Sequence, residues 1–289
     1  AWVHFLSDHL SGTETARLHQ RFIETYDWDV AKVMGDYRYP VPEGVRTFED
    51  PASLRAFRTL GMDTPAFAAQ LECLAELRRS LGADIALVET VFDPYQQLLR
   101  NVGFSEAPNL WKHKADTLRA LETVAQTTVA YVHALKTLGV DAYFLSINGA
   151  IREGFPRGST REVYETYQRP FELEMLRAAE GMVRILHVRG VGLELGRVLD
   201  YPCEAISVSA RLAGNPSLAQ LRKMTDKCLM GGLDETRFQE RTLPSLAAEI
   251  DDAVAQAGRQ KFILAPGCTI PSFTPKRSLQ FLREYTRGL

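Results

Sequence analysis

KFILAPGCTIP, residues 261–271, sets a short apolar run, Phe262 to Ala265, directly before Pro-Gly and a lone cysteine, Cys268. An apolar run of this length, bounded by turn residues, reads as a strand buried on both faces of a parallel sheet. The cysteine then stands at its C-terminal end. Similar runs precede it at WVHFL (2–6), VAKVM (30–34), ADIALVETV (83–91), AYFLSI (142–147), MVRILHV (182–188), AISVS (205–209) and CLMGG (228–232). Helical patterns lie between them. TLRALETVAQTTVAYVHALKTLG (117–139) spaces Leu118, Leu121, Ala125, Val129, Val132 and Leu135 by three and four and stops at Gly139. SLAQLRKM (217–224), PSLAAEIDDAVAQAG (244–258) and the closing PKRSLQFLREYTRGL (275–289) repeat the pattern. Eight strands alternating with helices predict an α/β chain folded as a (β/α)₈ TIM barrel. A doubly wound sheet uses the same alternation, and the strand count favours the barrel. No linker divides the chain, so 1–289 is expected to be a single domain.

With 289 residues the chain can bury a substantial core, and 45% hydrophobic with 24% charged residues is the composition of an ordinary globular protein. A formal net charge of -2 without a long Lys/Arg run argues against nucleic-acid and polybasic membrane partners. No apolar stretch approaches the roughly 20 residues of a membrane span. AWVHFLSDHL lacks the basic region of a signal peptide, and its first residue, Ala1, reads as a trimmed start. The widely spaced Cys73, Cys203, Cys228 and Cys268 read as free thiols of a reducing cytoplasm. Two Pro- and Gly-rich segments exceed simple connections. YRYPVPEGVRTFEDP (37–51) reads as a long ordered loop, and REGFPRGSTREV (152–163) as a lid.

In a barrel the active site gathers at the C-terminal strand ends. Those ends nominate Asp36, Glu89, Asp93, Asn148, His187, Arg189, Ser209, Arg211, Asp234 and Cys268. An imidazole and a thiolate are good zinc ligands, so His187 and Cys268 form a candidate metal pair, with Glu89 as a third, oxygen donor. The plainer alternative makes His187 a hydrogen-bonded barrel residue and Cys268 a small buried hydrophobe. Asp36 suits a general acid or a grip on a cationic nitrogen, and otherwise a helix cap or loop carboxylate. Arg189 and Arg211 suit substrate carboxylates, and otherwise ion pairs with nearby acids. RGVGLELG (189–196) spaces its glycines GxGxxxG, one residue longer than the dinucleotide fingerprint, so neither NAD nor flavin is expected.

These residues resemble a family. AISVSARLAGNPSLAQLRKMTDKCLMGGLDE (205–235) resembles the strand, helix and GNLD-like segment of the uroporphyrinogen decarboxylase superfamily, which also holds corrinoid- and thiol-dependent methyltransferases. KFILAPGCTIPSFTPKRSLQFLREYTR (261–287), YETYQRPFELEMLRAA (164–179) and YDWDVAKVMGDYRYPV (26–41) resemble its closing strand and helix, the helix before the fifth strand, and the second-strand region. The resemblance implies a TIM barrel, often a homodimer. It places Asp36 at the decarboxylase's catalytic aspartate. The methyltransferase branch holds zinc with a His-x-Cys-Gly motif and a later Cys. Here these read His187-Val188-Arg189-Gly190 and Cys268, so Glu89 is the expected replacement ligand. Arg100 stands where decarboxylases carry an active-site Tyr, and their N-terminal arginine-rich motif has no counterpart in WVHFLSDHLSGTETAR (2–17).

The expectation is therefore a cytoplasmic methyltransferase acting on a thiol or corrinoid. Its partner would be a small molecule or a corrinoid protein. Asp36, His187 and Cys268 would be catalytic, and Arg189, Arg211, Asn148 and Arg100 would hold substrate. Two alternatives stand beside it: a metal-free decarboxylase of an acidic or tetrapyrrole substrate, and a non-catalytic corrinoid- or tetrapyrrole-binding protein.

Overall fold

The computed structural model describes residues 1–36 and 38–289; Tyr37, the first residue of the expected 37–51 loop, lies outside them. Among the described residues seven strands form one all-parallel sheet in chain order. They are β1 Val30–Val33, β2 Ala86–Phe92, β3 Ala142–Ile147, β4 Val183–Val188, β5 Ala205–Val208, β6 Cys228–Leu233 and β7 Phe262–Pro266. Each coincides with an apolar run read from the sequence.

The eighth expected strand, WVHFL at 2–6, does not form. The Trp2 carbonyl accepts a hydrogen bond from the Ile270 amide at 3.1 Å, just beyond β7, but no ladder follows. Leu6, the last residue of the run, has φ 53° and leaves the extended region there. The sheet is accordingly open and TIM-barrel-like, which corrects the expectation of a closed eight-stranded barrel.

It is nevertheless strongly curled. One interior cluster joins Trp2 and Met34 to Val88, Phe144, Ile185, Ala205, Met230 and Ala265. A flat sheet would keep side chains near β1 and β7 far apart. A larger cluster fills the space between the sheet and its helices. Strand side chains alternate between these two layers with period two.

The helices follow their sequence signals. Lys114–Thr137 buries Leu121, Val124, Val132 and Leu135 along one face. Leu218–Met224 starts at a capping box formed by Ser217 and Gln220, and Leu243–Ala257 stops at Gly258 with φ 78°. Pro94–Val102 begins on the Asp93 cap, and Lys276–Arg287 ends the chain. Among the described residues no helix is long and apolar enough to cross a membrane. The 152–163 segment is pinned at its base by bridges Ile151↔Leu193 and Arg152↔Ser159. Arg197 also donates to the Gly149 and Ser159 carbonyls, at 3.2 Å each.

Candidate functional site

A cavity of about 210 Å³ opens where the strands end. Its floor is aromatic, built from Trp2 on the N-terminal segment and Phe144 on β3, whose rings meet edge to face at 6.0 Å. Between these rings rises Lys32 from β1, 7% exposed, with Nζ 4.5 Å from the Trp2 ring and 4.0 Å from that of Phe144. Nζ also donates to Thr90 Oγ1 at 2.8 Å and to Met34 Sδ at 3.1 Å.

Four arginines complete the lining: Arg38 after β1, Arg100 on the helix Pro94–Val102, Arg157 in the 152–163 segment and Arg189 after β4. Among the described residues no carboxylate lines the cavity, and none makes an ion pair with any of these five cations. Arg38 is braced on the Arg100 carbonyl at 3.2 Å. The Arg100 guanidinium lies 3.6 Å over Phe92, and that of Arg157 3.9 Å over Phe104.

Burial without a counter-charge leaves its mark on the titration of these groups. Two aromatic faces favour an ammonium by about 0.5–2 kcal/mol each, whereas removing it from water costs several kcal/mol. Desolvation wins, and Lys32 is lowered to about 7, although Cys268 and Glu89 oppose the shift. Arg100 is lowered to about 10 by burial and then by the Arg38 charge. His187, 3% exposed, is lowered to about 3 by burial and by the charges of Lys32 and Arg189, so it stays neutral. Its Nδ1 lies 3.0 Å from Ser207 Oγ, and its ring stacks on Phe144 at 4.9 Å.

His187, Cys268, Arg189 and Arg100 all face this cavity, so the structure brings these four nominated residues together. Asp36 sits one layer behind. Its Oδ1 receives His4 Nδ1 at 2.6 Å and its Oδ2 the Ser7 amide at 3.5 Å, and it is His4 that lines the cavity. Burial alone would raise the Asp36 carboxyl, but the hydrogen bond and charge of His4 outweigh it and hold the group low. Asn148 is also one step removed, donating to Gln96 Oε1 at 3.0 Å while Gln96 faces the cavity.

The other nominations lie elsewhere. Glu89 is on the opposite face of β2, where it accepts from Gln70 at 3.0 Å and Tyr131 at 2.8 Å in the helix layer. Arg211 is committed to the Gly232 carbonyl at 2.8 Å and to Asp252. Asp93 caps the helix Pro94–Val102, and Asp234 closes a turn on Thr236. Ser209 donates to Glu235 at 2.5 Å in a second compartment of about 450 Å³, which shares only Arg189, Cys268 and Thr269 with the first.

A zinc ion does not fit this donor set. His187 and Cys268 would be two ligands, the residue between them in the motif is a guanidinium that cannot ligate, and Glu89 faces away. Among the described residues no group of three His, Cys, Asp or Glu side chains could hold a metal ion. Of the expected ligand set, His187 and Cys268 reach one cavity and Glu89, on the other face of β2, does not join them.

Lys32, Arg38, Arg157 and His4 were not nominated from the sequence. The legible signal was Lys32 itself, one cation in the middle of the apolar run VAKVM. The arginines come from four separate segments, and nothing local announces their convergence.

The fold recurs in solved structures. A methyltransferase from Methanosarcina mazei superposes with a TM-score of 0.78 at 16% identity, covering 97% of this chain and 86% of its own. A putative vitamin-B12-independent methionine synthase from Listeria monocytogenes gives 0.62 at 15%, covering 96% of this chain and 85% of its own. A B12-independent methionine synthase from a Shewanella species, in complex with selenomethionine, gives 0.61 at 13%, with 96% and 88% covered. No curated protein matches by sequence. The family model for uroporphyrinogen decarboxylase (URO-D), by contrast, matches residues 30–289, nearly the whole chain from β1 onward, and the protein belongs to that family.

Proposed function

We propose that this protein is a metal-free lyase, a decarboxylase of small substrates bearing at least two acidic groups. The observation that carries this reading is the set of four arginines facing one cavity without a carboxylate among its lining residues. Unpaired guanidinium groups at a partly buried site are the donors that bidentate carboxylate recognition needs. The cavity's volume of about 210 Å³ accommodates a small acid held among the four arginines.

In this mechanism the arginines hold the carboxylates that remain. The carboxylate to be lost lies over the aromatic floor, where desolvation favours its departure as neutral CO₂. The carbon left behind needs a proton, and His4 is placed to supply it. Asp36 orients the imidazole through Nδ1, as a carboxylate does for a general acid–base histidine. Methyl transfer draws on likeness to enzymes at 13–16% identity, which carries the fold, and among the described residues no three-donor metal set supports it.

The test is release of labelled CO₂ from a panel of oxo di- and tricarboxylates by chelator-treated protein. Turnover should survive chelation. Arg189→Met should lower kcat/KM by about 30-fold, from loss of about 2 kcal/mol of charge-assisted hydrogen bonding. Methyl transfer to a thiol that stops on chelation, with no CO₂ from any acid, would replace this reading.

A further inference from the structure

We infer that Lys32 is a covalent catalyst, its Nζ condensing with the ketone of a 3-oxo carboxylate to form an imine through which CO₂ leaves. The inference rests on the decarboxylase reading for its substrate class, and it stands on the geometry of one amine. Lys32 is 7% exposed yet lines the cavity, on a face of β1 that also looks down into the apolar lower end of the curled sheet. Its partners are a hydroxyl, a thioether and two aromatic rings, with no carboxylate to fix it as a permanent ammonium.

Hydrogen-bond directions sharpen the point. Thr90 Oγ1 donates to the Val33 carbonyl at 2.7 Å, so towards Lys32 it can only accept. A neutral amine has two N–H donors, which Thr90 Oγ1 and Met34 Sδ take up. The third position on nitrogen is its lone pair, left free for a carbonyl carbon. A lysine desolvated in an apolar pocket beside other cations is the environment that makes this side chain nucleophilic at neutral pH. The lowering of Lys32 to about 7 agrees with it.

The step balances without an oxidant or reductant. The Nζ lone pair forms a bond to the ketone carbon, and the ketone oxygen takes up protons and leaves as water, giving a protonated imine. The bond to the leaving carboxylate then breaks. Its electron pair becomes a carbon–carbon double bond, and the imine π pair moves onto nitrogen. His4 donates a proton to the resulting enamine carbon, and water hydrolyses the imine to return the amine and a ketone. One CO₂ is released and one proton consumed per turnover.

The experiment incubates the whole protein with 3-oxoglutarate and sodium cyanoborohydride and reads intact mass, peptide map and CO₂. An adduct one oxygen lighter than the bound ketone should form at Lys32. It should be absent from Lys32→Met and Lys32→Arg, with kcat/KM for CO₂ release lowered at least about a hundredfold in both. The two variants differ in charge, so shared loss with retained folding assigns the effect to the amine. CO₂ release that persists in Lys32→Met, or an adduct that forms equally in that variant, would overturn the proposal and leave the decarboxylase reading intact. An adduct at Lys32 without CO₂ from any oxo acid would sustain the nucleophile and remove the decarboxylase.

Discussion

Lys32 is where the chain departs most from what a strand interior normally tolerates, and its departure has a thermodynamic signature. Its folded value of about 7 lies below the 10.5 of a free lysine. Between those values the unfolded chain binds a proton that the folded chain does not, so stability rises with pH through that window. Below about pH 7 both states are charged and the full burial penalty applies. Lys32→Met removes this term, so its stability advantage over wild type should be largest near pH 6 and should shrink towards pH 10. The limiting slope is about 1.4 kcal/mol per pH unit. Urea unfolding of both proteins at several pH values measures the gap, and a constant gap would mean that Lys32 titrates normally. Parity explains both the lysine and the misplaced carboxylate. Lys32 pairs with Val88, and both face inward, whereas Val33 pairs with Glu89 and both face the helices. Counting in twos along VAKVM and ALVETV is enough to separate Glu89 from the cavity. His187 and Cys268 were legible as strand-end residues, but whether a third ligand joined them depended on which face Glu89 occupied.

At the scale of elements, the helix Pro94–Val102 couples folding to the site, because one short segment carries both Gln96 and Arg100. Its cap is Asp93, which accepts from the Gln96 amide at 3.0 Å and from Gln96 Nε2 at 2.5 Å. Burial still pushes Asp93 up to about 6, so the cap is held by its hydrogen bonds against a desolvation cost. Asp93→Ala should lower stability by about 1–2 kcal/mol and leave the Gln96 amide groups without these acceptors. With Arg100 loosened rather than removed, KM for the acid should rise more than kcat falls. Equal loss of kcat at unchanged KM would show that this helix does not position the substrate. Elements were the most legible level of this sequence. Apolar runs, capping residues and terminal glycines marked seven strands and four helices, whereas Gly12–Tyr26 and Pro65–Leu81 were not read as helices. The run at 2–6 failed because composition reports burial and not backbone pairing: Trp2 and Val3 are buried as an apolar run should be, yet the Ile270 amide to Trp2 carbonyl bond is not continued into a ladder.

For the whole molecule, the curl of the sheet decides the electrostatics. A net charge of -2 conceals five basic side chains gathered around one cavity, from β1, the helix Pro94–Val102 and three connecting segments. Total charge could not reveal this, because the sum is blind to where the fold places its terms. Low-dielectric walls, including the Trp2 and Phe144 rings, concentrate the resulting field in the cavity. Repulsion among the arginines burdens the empty protein, and a bound polyanion should relieve it. Such a ligand binds the folded state alone and stabilises it by RT ln(1 + [L]/Kd), about 2.7 kcal/mol at a hundredfold excess over Kd. For a chain of this length that corresponds to a Tm increase of a few degrees. Citrate should therefore raise Tm, whereas sodium chloride at matched ionic strength should not, since a single small anion cannot bridge several guanidinium groups. Calorimetry on wild type and on the Arg100→Met, Arg189→Met double variant separates this from general salting effects. In the double variant the empty protein should melt higher than wild type, and the response to citrate should vanish. A citrate shift of equal size in both proteins would place the anion outside the cavity and remove the arginine cluster as a binding site.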